Sequence, residues 1–584
     1  GNLAEKIKDA RSKGAPENVA HLEAAMPEPK TAEQITPSIR SLWMPKDIFE
    51  SFLKDLGATS AKVVVDMKAA LIDISADGTP NDFGEQFKTE RKSPYEIFES
   101  AVKGKSIIVS DRTPDGKSVK NERATQDANA AAERMSAEFQ KWAYLNDERR
   151  TAIVDAFNEK MNVVVPRKFD GVNYLTQVGA NPDIKLRNSQ KNGAWRMMLS
   201  DSTLLHHVVG AGKTFTAITA IMERKRLGLS KKSLIAVPNH IVSQWAKDFY
   251  ALYPGANILA ATESDFKKEN RRKLLARIAT GDYDAVIIGH SNLKFIENNA
   301  EETQALMEEQ LSGLEEALAE AKRSGASRST VSQISGRVKK YKEKMDKLLE
   351  KLGGDNLGFD FTAMGVDNLV IDEAHEFKNL EYSTSGDRLV GMNNPDGSQR
   401  ALDLYIKTRG LMGRKGAVGF LTGTPVSNSL VEIYTIMKYM VPETMKDMGL
   451  MQYDSWASSF VQSKIRFEYT AAQKLKERNV LAGLNNLGPL SDLYRSFADI
   501  VMRKDVEGMY QEQMEAENKA NGTNLSTRFP TPKIKGGQRR LVSLPSSPDQ
   551  DEFTDYLVMR MSGIQQNKSD KEYAKKDNAL WVLS

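Results

Sequence analysis

The chain has 584 residues, of which 40% are hydrophobic and 27% charged, with a formal net charge of +4 and no cysteine. This length exceeds one ordinary domain and indicates about three or four. The lack of cysteine excludes disulfides, thiolate metal sites and cysteine nucleophiles. A near-balanced charge excludes a global basic field for nucleic acid, and apolar runs of strand length exclude a membrane span.

The first 182 residues carry no catalytic pattern. Residues 1–40 are rich in Ala, Glu, Lys and Pro and predict a linker with short helices. Residues 41–182 predict an α+β accessory domain, in which "AKVVVDMKAALIDI" and "KSIIVSD" are expected strands. The stretch "ATQDANAAAERMSAEFQKWAYL" has the apolar spacing of a helix.

From Lys185 onward, short apolar segments alternate with longer helical ones. The predicted strands are "TLLHHVV", "SLIAVP", "AVIIGH", "NLVIDE" and "AVGFLTG". This alternation is typical of a parallel sheet with crossover helices, in which ligands bind beyond the carboxyl ends of the strands. We therefore predict an α/β domain over residues 183–440.

One segment interrupts this alternation. Residues 301–354 consist mostly of strong helix formers, broken once by "SGASRS", and predict an inserted hairpin of two antiparallel helices. The first arm is acidic and the second basic, so the arms can pair with each other; an arm that touches DNA or a partner is the alternative. Residues 441–584 predict a mainly helical extension that includes "LSDLYRSFADIVM", followed by a strand-like "QRRLVSLP".

The stretch "LLHHVVGAGKT" indicates a phosphate-binding loop between a strand and a helix. Its glycines let backbone amides close around phosphates, its lysine reaches the β- and γ-phosphates, and its threonine offers a hydroxyl to magnesium. The nucleotide-binding residues predicted in this loop are Gly210, Ala211, Gly212, Lys213 and Thr214.

Two histidines precede this loop. His207 stands where the full loop pattern has glycine, but that position needs only to turn the chain out of the strand. We therefore expect an intact phosphate cradle, with His207 at the first position of the loop. His206 is expected to face the packed side of its strand, because adjacent strand residues point to opposite faces.

A pair of acids ends the most apolar strand, in "NLVIDEAHEFKN". Asp372 and Glu373 suit a divided task, in which one carboxylate holds magnesium and the other orients or deprotonates the attacking water. "GFLTGTP" places Thr422 and Thr424 at the end of another strand, where hydroxyls can bond to the acids and relay nucleotide state. We assign the same coupling role to His375.

Upstream of the loop, "LRNSQKNGAW" contains Gln190, whose amide could bind the two edges of adenine. A structural role is the alternative for this residue when it is taken alone.

The order of the motifs resembles helicase superfamily 2, and most closely its Swi/Snf-type double-stranded-DNA translocases. The matching segments are "LRNSQ", "GAGKT", "VPNHIVSQW", "IIGHSNL", "VIDEAH", "LTGTPVSNSLVEIYTIMKYMVP" and "VMRKDV". The resemblance implies a RecA-like first helicase lobe, ATP and Mg²⁺ as cofactors and duplex DNA as partner. Lys213, Asp372 and Glu373 would be catalytic, with Thr214 and Asp372 on the magnesium.

The same resemblance offers two DNA contacts, His240 in "PNH" and Ser291 in "GHSNL". Both loops would lie on the face that grips a phosphate strand. Ordinary polar loop residues are the alternative for each.

The wording "HHVVGAGKT", "VPNHIVSQW", "DEAHEFKNL" and "TGTPVSNS" is similar to that of a narrower group, the large methylase–helicase proteins of phages and mobile elements, which include phage antirestriction proteins. This resemblance implies a longer parent polypeptide with a methyltransferase region and a second RecA-like lobe, in the bacterial host cytoplasm or packaged in a virion. Because two-lobe motors hydrolyse ATP between lobes, we expect the chain alone to bind nucleotide weakly and to turn it over poorly if at all.

Three functions remain open at this point. The first is the amino-terminal part of an ATP-driven duplex-DNA translocase with a role in DNA protection. The second is a non-catalytic DNA-binding or virion-packaged scaffold, and the third is the translocating part of a restriction system. The intact Lys213, Asp372 and Glu373 favour the catalytic functions over the scaffold.

Overall fold

The computed structural model describes residues 3–352, 359–387, 389–392, 394–427, 429–469, 475–529 and 542–566. The chain divides into two compact units. One comprises residues 1–462 and 483–503, and the other residues 463–482 and 504–584. No described helix combines the length and the apolarity that a membrane span needs.

The amino-terminal part of the first unit mixes helices with two small sheets. Its elements are α1 (Leu3–Ser12), α2 (Pro16–Ala24), a 3-10 turn (Ala32–Gln34), α3 (Lys46–Asp55), β1 (Ala58–Asp66), β2 (Leu71–Gly78), α4 (Asp82–Glu85), α5 (Pro94–Lys103), β3 (Ser110–Arg112), β4 (Ser118–Lys120), α6 (Glu122–Trp142), α7 (Asp147–Lys160) and α8 (Gly171–Tyr174). The strands β1 and β2 pair antiparallel, as do β3 and β4.

Aromatic side chains form the core of this part. The ring of Phe52 lies 5.3 Å from that of Phe98, 5.0 Å from Phe139 and 4.9 Å from Trp142. These contacts join α3, α5 and α6. Each such buried ring withdraws a large apolar area from water.

The predicted strand "KSIIVSD" is wrong over most of its length. Ile107 and Val109 are buried, but their amides donate to side chains of α6, to Asn129 Oδ1 at 2.9 Å and to Thr125 Oγ1 at 3.0 Å. Side-chain acceptors therefore replace a partner strand, and only Ser110–Arg112 is paired as β3.

An α/β layer follows. Its elements are α9 (Asn188–Leu199), β5 (Ser202–His207), α10 (Lys213–Arg226), β6 (Ser233–Val237), a 3-10 turn (Asn239–Ile241), α11 (Val242–Leu252), β7 (Ile258–Ala260), a 3-10 turn (Glu263–Phe266), α12 (Lys268–Thr280), β8 (Ala285–Gly289), a 3-10 helix (His290–Phe295), α13 (Ala300–Arg323), α14 (Arg328–Leu352), β9 (Asn368–Asp372), a 3-10 turn (Ala374–Phe377), α15 (Gln399–Gly413), β10 (Ala417–Thr422), α16 (Val431–Met440), α17 (Pro442–Asp447), α18 (Tyr453–Phe460), β11 (Val461–Tyr469), β12 (Leu475–Leu484), α19 (Leu487–Phe497) and β13 (Ala498–Val501).

Seven of these strands form one parallel sheet in the order β13-β5-β10-β9-β6-β8-β7. Every residue of β6, β8, β9 and β10 is buried, as expected for a sheet covered by helices on both faces. All five predicted strands belong to this sheet. The fold class is therefore confirmed as α/β with a RecA-like parallel sheet.

The strands β7 and β13 were not predicted. The helix expected over "LSDLYRSFADIVM" ends at Phe497, and the next four residues run beside β5, with Ile500 opposite His206 and Val501 opposite His207. The described part of residues 441–584 is mainly helical, as predicted, and also contains the strands β11, β12 and β13. The predicted domain boundaries themselves stay predictions.

The inserted hairpin, α13 and α14, is confirmed. Its arms pair through Lys342 and Glu315, whose charged atoms lie 2.7 Å apart. Its tip also packs on β1 and β2, because Asp73 accepts hydrogen bonds from the Ser327 amide and from the Thr330 hydroxyl, at 2.5 Å and 2.8 Å. The hairpin therefore packs against the amino-terminal part of its own chain.

The second unit contains the outer parts of the two-stranded β11–β12 sheet together with α20 (Arg503–Asn521) and α21 (Pro548–Gln566). The predicted strand "QRRLVSLP" lies partly outside the described residues, and residues 542–545 are not in a strand.

Candidate nucleotide-binding site

The glycine-rich loop joins β5 to α10 at the carboxyl edge of the sheet. Gly210 and Gly212 both have a φ of +86°, a left-handed conformation that favours glycine. A Cβ atom on Gly212 would lie 2.3 Å from Gln190 Nε2, so a larger residue here would displace the Gln190 side chain from the loop. The Lys213 ammonium donates to the His207 carbonyl at 3.0 Å, which holds the lysine over the loop.

The burial of the two histidines differs from the prediction. His207 is completely buried, and its Nε2 atom lies 2.6 Å from Asp499 Oδ2 on β13. His206 is half-buried, and its Nδ1 atom lies 3.1 Å from the Tyr494 hydroxyl. The prediction that His206 is the packed residue of the two is wrong, because β13 adds an unforeseen neighbour on the side of His207.

The acidic pair lies at the carboxyl end of β9, two strands from the loop, with Asp372 as the last residue of the strand and Glu373 directly after it. Asp372 is 7% exposed and accepts two hydrogen bonds, from Trp245 Nε1 at 2.8 Å and from the Glu373 amide at 2.9 Å. Burial raises the pKa of Asp372 and outweighs the Trp245 hydrogen bond, which lowers it. Burial lowers the pKa of Lys213, while the charges of Glu373 and Asp372 oppose this change. The lysine and both acids therefore act on one another electrostatically.

Glu373 has a strained backbone. Its φ is +47°, a left-handed conformation that costs a non-glycine residue free energy and that often occurs at functional sites. Its Oε2 atom lies 3.2 Å from His375 Nδ1, and that nitrogen lies 3.1 Å from Thr422 Oγ1. The Thr424 amide donates to the same hydroxyl at 3.1 Å. The structure thus brings the four predicted residues of β9, β10 and their loops into one chain of contacts.

A second histidine supports Asp372 through its backbone. His290 Nε2 lies 2.8 Å from the Asp372 carbonyl, and Arg400 Nη2 lies 3.1 Å from His290 Nδ1. A carbonyl only accepts and a guanidinium only donates, so Nε2 carries the proton and Nδ1 accepts. Burial, aided by the Arg400 charge, lowers the pKa of His290 to about 4. His290 is therefore neutral at pH 7.

Gln190 contacts the loop directly. It is 5% exposed, its Nε2 atom donates to the Gly212 carbonyl at 3.1 Å, and its Oε1 atom accepts from the Arg187 amide at 3.0 Å. Arg187 Nη2 donates to the Gly210 carbonyl at 3.2 Å. The first turn of α9 therefore braces the phosphate loop, and adenine binding by Gln190 stays a prediction.

The two candidate DNA-contact loops lie beside each other at the carboxyl ends of β6 and β8. Asn239 Nδ2 donates to Ser291 Oγ at 2.7 Å, and the Ser291 amide donates to Asn239 Oδ1 at 3.2 Å. His240 and Ser291 are both exposed. This arrangement leaves both side chains accessible, and DNA contact by either one stays a prediction.

Oxygen donors and the shape of the loop fit a magnesium nucleotide. A Cβ on Gly210 would meet only open space, so the loop is accessible from solvent. Thr214 and Asp372 offer the hard oxygen ligands that magnesium prefers. Among the described residues, no group of three or more His, Cys, Asp or Glu side chains could hold a metal on its own. Such a site suits an ion that keeps water and nucleotide oxygens among its ligands.

Sequence reasoning missed several supporting residues, namely Trp245, His290, Arg187, Arg400 and Asp499. Trp245 and His290 lie inside quoted motifs, but nothing in their spacing shows that both reach Asp372. Their contacts join residues far apart in sequence and become visible only in the folded chain.

The sheet order and the glycine loop at its carboxyl edge define an α/β protein of the RecA-like class. The chain belongs to the family described as "Probable helicase domain", which matches residues 195–501, more than half of its length. A second family, described as "Domain of unknown function (DUF8437)", matches residues 38–163. No curated protein matches the chain.

Two solved structures from Sulfolobus solfataricus are similar to parts of the chain. The "SWI2/SNF2 ATPase core in complex with dsDNA" is 16% identical with a TM-score of 0.27, and the match covers 47% of this chain and 39% of that one. The "SWI2/SNF2 ATPase core domain" is 12% identical with a TM-score of 0.28, with 63% and 58% covered. This chain therefore spans less than two thirds of the length of either.

Proposed function

We propose that this chain carries the ATPase region of an ATP-dependent duplex-DNA translocase of the Swi/Snf type. One observation carries the proposal: the glycine loop and the paired acids follow parallel strands that end at the same edge of the sheet, and the charges of both acids act on Lys213. At this edge Glu373 contacts His375, and His375 contacts Thr422. A loop for phosphates, a carboxylate for magnesium and a second one for water are the parts that phosphoryl transfer to water needs.

Each residue has a role in this proposal. Lys213 binds the β- and γ-phosphates of ATP, and its lowered pKa reflects the cost of holding a buried charge that phosphate oxygens would stabilise. Thr214 and Asp372 hold magnesium, which supplies charge neutralisation on the phosphates when bound. Glu373 orients the attacking water and accepts its proton.

The contacts beyond Glu373 suit coupling. His375 lies between the Glu373 carboxylate and the Thr422 hydroxyl, and Thr422 also accepts from the Thr424 amide. A shift of Glu373 on nucleotide binding would therefore move the loop that follows β10. In this proposal the loops of His240 and Ser291 bind the phosphates of duplex DNA.

A role in protecting phage or mobile-element DNA is the narrower part of the proposal. Its support is the resemblance of the motif sequences to those of phage and mobile-element methylase–helicase proteins. It places the protein in the bacterial host cytoplasm or in a virion. A methyltransferase region and a second RecA-like lobe in the parent reading frame would agree with it, whereas a nuclease region would favour a restriction system.

The decisive experiment measures ATP hydrolysis by the complete polypeptide with and without duplex DNA. We expect duplex DNA to stimulate hydrolysis and Glu373→Gln to reduce turnover by about a hundredfold or more while ATP still binds. Lys213→Ala should abolish binding as well. Lys225→Ala is the matched control, because Lys225 lies on the same helix but pairs with Asp282 and Asp284. Unchanged hydrolysis in both site variants would refute the proposal.

A further inference from the structure

The buried histidine before the phosphate loop has no part in the reaction proposed above. His207 is 0% exposed and pairs with Asp499, whose side chain is 21% exposed, at 2.6 Å. A carboxylate only accepts, so His207 Nε2 carries the proton and donates to Asp499. A polar pair this close to the loop costs desolvation and therefore calls for an explanation.

The backbone of the same residue holds the loop lysine. The His207 carbonyl accepts from Lys213 Nζ at 3.0 Å, and the next amide, of Val208, donates to the Val501 carbonyl at 2.9 Å. Asp499 and Val501 both belong to β13. The position of this carbonyl is thus fixed on both sides by one strand, through a side chain and through the backbone.

Helix α9 closes the arrangement from the other side. A Cβ on Gly193 would lie 3.2 Å from Asp499 Oδ2 and 3.3 Å from His207 Cε1, so glycine leaves the space that the pair occupies. Arg196 donates to the carbonyls of Ala498 and Arg495 at 2.8 Å and 2.6 Å, which anchors the start of β13 to the same helix.

We propose that His207 and Asp499 are positioning residues for the nucleotide site. By fixing the His207 carbonyl they fix the resting place of the Lys213 ammonium, and so they set the affinity for Mg·ATP. This inference rests on the proposed function. It also ties the loop to β13, which ends at Val501 just before the chain leaves the first unit at Arg503.

The test is the Kd of Mg·ATP, measured by titration calorimetry on folded protein. Asp499→Ala should weaken binding about tenfold, equivalent to about 1.4 kcal/mol. Asp499→Asn keeps an acceptor for His207 Nε2 and should stay within about threefold of wild type.

Asp403 provides the matched control. It pairs with Lys407 at 2.8 Å, and the two side chains are 19% and 0% exposed, nearly the same burial as in the histidine pair. Asp403→Ala should lower thermal stability at least as much, because it leaves the buried Lys407 ammonium without its carboxylate, and it should leave the Kd unchanged. An equal loss of affinity in both alanine variants, or an unchanged Kd in Asp499→Ala, would overturn the inference.

Gly193→Ala repeats the test with a smaller perturbation if Asp499→Ala does not fold. Its methyl group would press on Thr216 of α10 and on both members of the pair, and we expect about threefold weaker binding. An unchanged Kd would again overturn the inference. If wild type itself does not bind Mg·ATP, the proposed function fails. If wild type binds and only Lys213→Ala loses binding, the inference alone fails.

Discussion

The hydrogen bond from Trp245 to Asp372 leads to a sharp prediction about charge in the site. Trp245 is 2% exposed, Asp372 is 7% exposed, and the bond measures 2.8 Å. Trp245→Phe keeps most of the ring but removes the donor. A hydrogen bond to a charged group contributes about 1.5–3 kcal/mol, so we expect this loss in free energy of unfolding at neutral pH, besides the packing loss.

The stability penalty of Trp245→Phe should depend on pH. Removing the donor raises the pKa of Asp372, which burial already holds above its ordinary value. The penalty of the variant is therefore complete while the carboxylate is ionised in both proteins. It disappears as pH falls below the pKa of Asp372 in wild type, because the protonated acid needs the donor less.

Urea unfolding of both proteins, from neutral pH down to the lowest pH at which wild type stays folded, measures this difference. Trp456→Phe is the control, since Trp456 is fully buried and its Nε1 atom has no acceptor among the described residues. Its penalty should be smaller and constant with pH. A Trp245→Phe penalty that equals the control, or that does not diminish on acidification, would refute the assigned role of this bond.

Three further predictions follow from single contacts. Because Glu373 has φ +47°, Glu373→Gly should be about 1 kcal/mol more stable than Glu373→Ala by urea unfolding. Glu343, which is exposed and lies in helix α14, is the control, and there the alanine variant should be the more stable. The same order of stability at both sites would contradict the backbone strain at Glu373. Asp73→Ala should lower the free energy of unfolding by about 2 kcal/mol and speed hydrogen exchange at the start of α14, and unchanged exchange would count against the contact. Burial raises the pKa of Asp73, but the hydrogen bonds from the Ser327 amide and from Lys103 outweigh it and lower the pKa overall. In wild type this contribution is therefore lost as pH falls through that lowered pKa. If Gln190 only braces Gly212, Gln190→Ala should weaken ATP and GTP binding equally. If Gln190 also binds adenine, the variant should lose part of its preference for ATP over GTP. Competition binding with both nucleotides distinguishes the two roles.

The sheet was predictable because its strands are short apolar runs that end in polar or glycine-containing turns. The strand β13 was not, since its four residues continue the apolar spacing of α19 and only pairing with β5 makes them a strand. The segment "KSIIVSD" has the pattern of a strand but forms one only at its end. Its apolar residues are buried, but Asn129 and Thr125 supply the acceptors that a partner strand would otherwise provide.

Sequence predicts candidate site residues where chemistry fixes the residue type, as at Lys213, Asp372 and Glu373, and their roles stay predictions. Their supports were not predictable, because a tryptophan that bonds to Asp372 and an aspartate that bonds to His207 are selected by position in space rather than by spacing in sequence. The two histidines show this most clearly, since their burial depends on a strand that lies almost three hundred residues later in the chain.

Equilibrium binding of Mg·ATP tests the central claim most directly. We predict saturable binding by the wild-type chain that depends on magnesium and is lost in Lys213→Ala, but retained in Lys225→Ala on the same helix. Binding that survives Lys213→Ala unchanged, or no binding by wild type at any accessible concentration, would contradict the claim that this loop and the acids of β9 form a working nucleotide site.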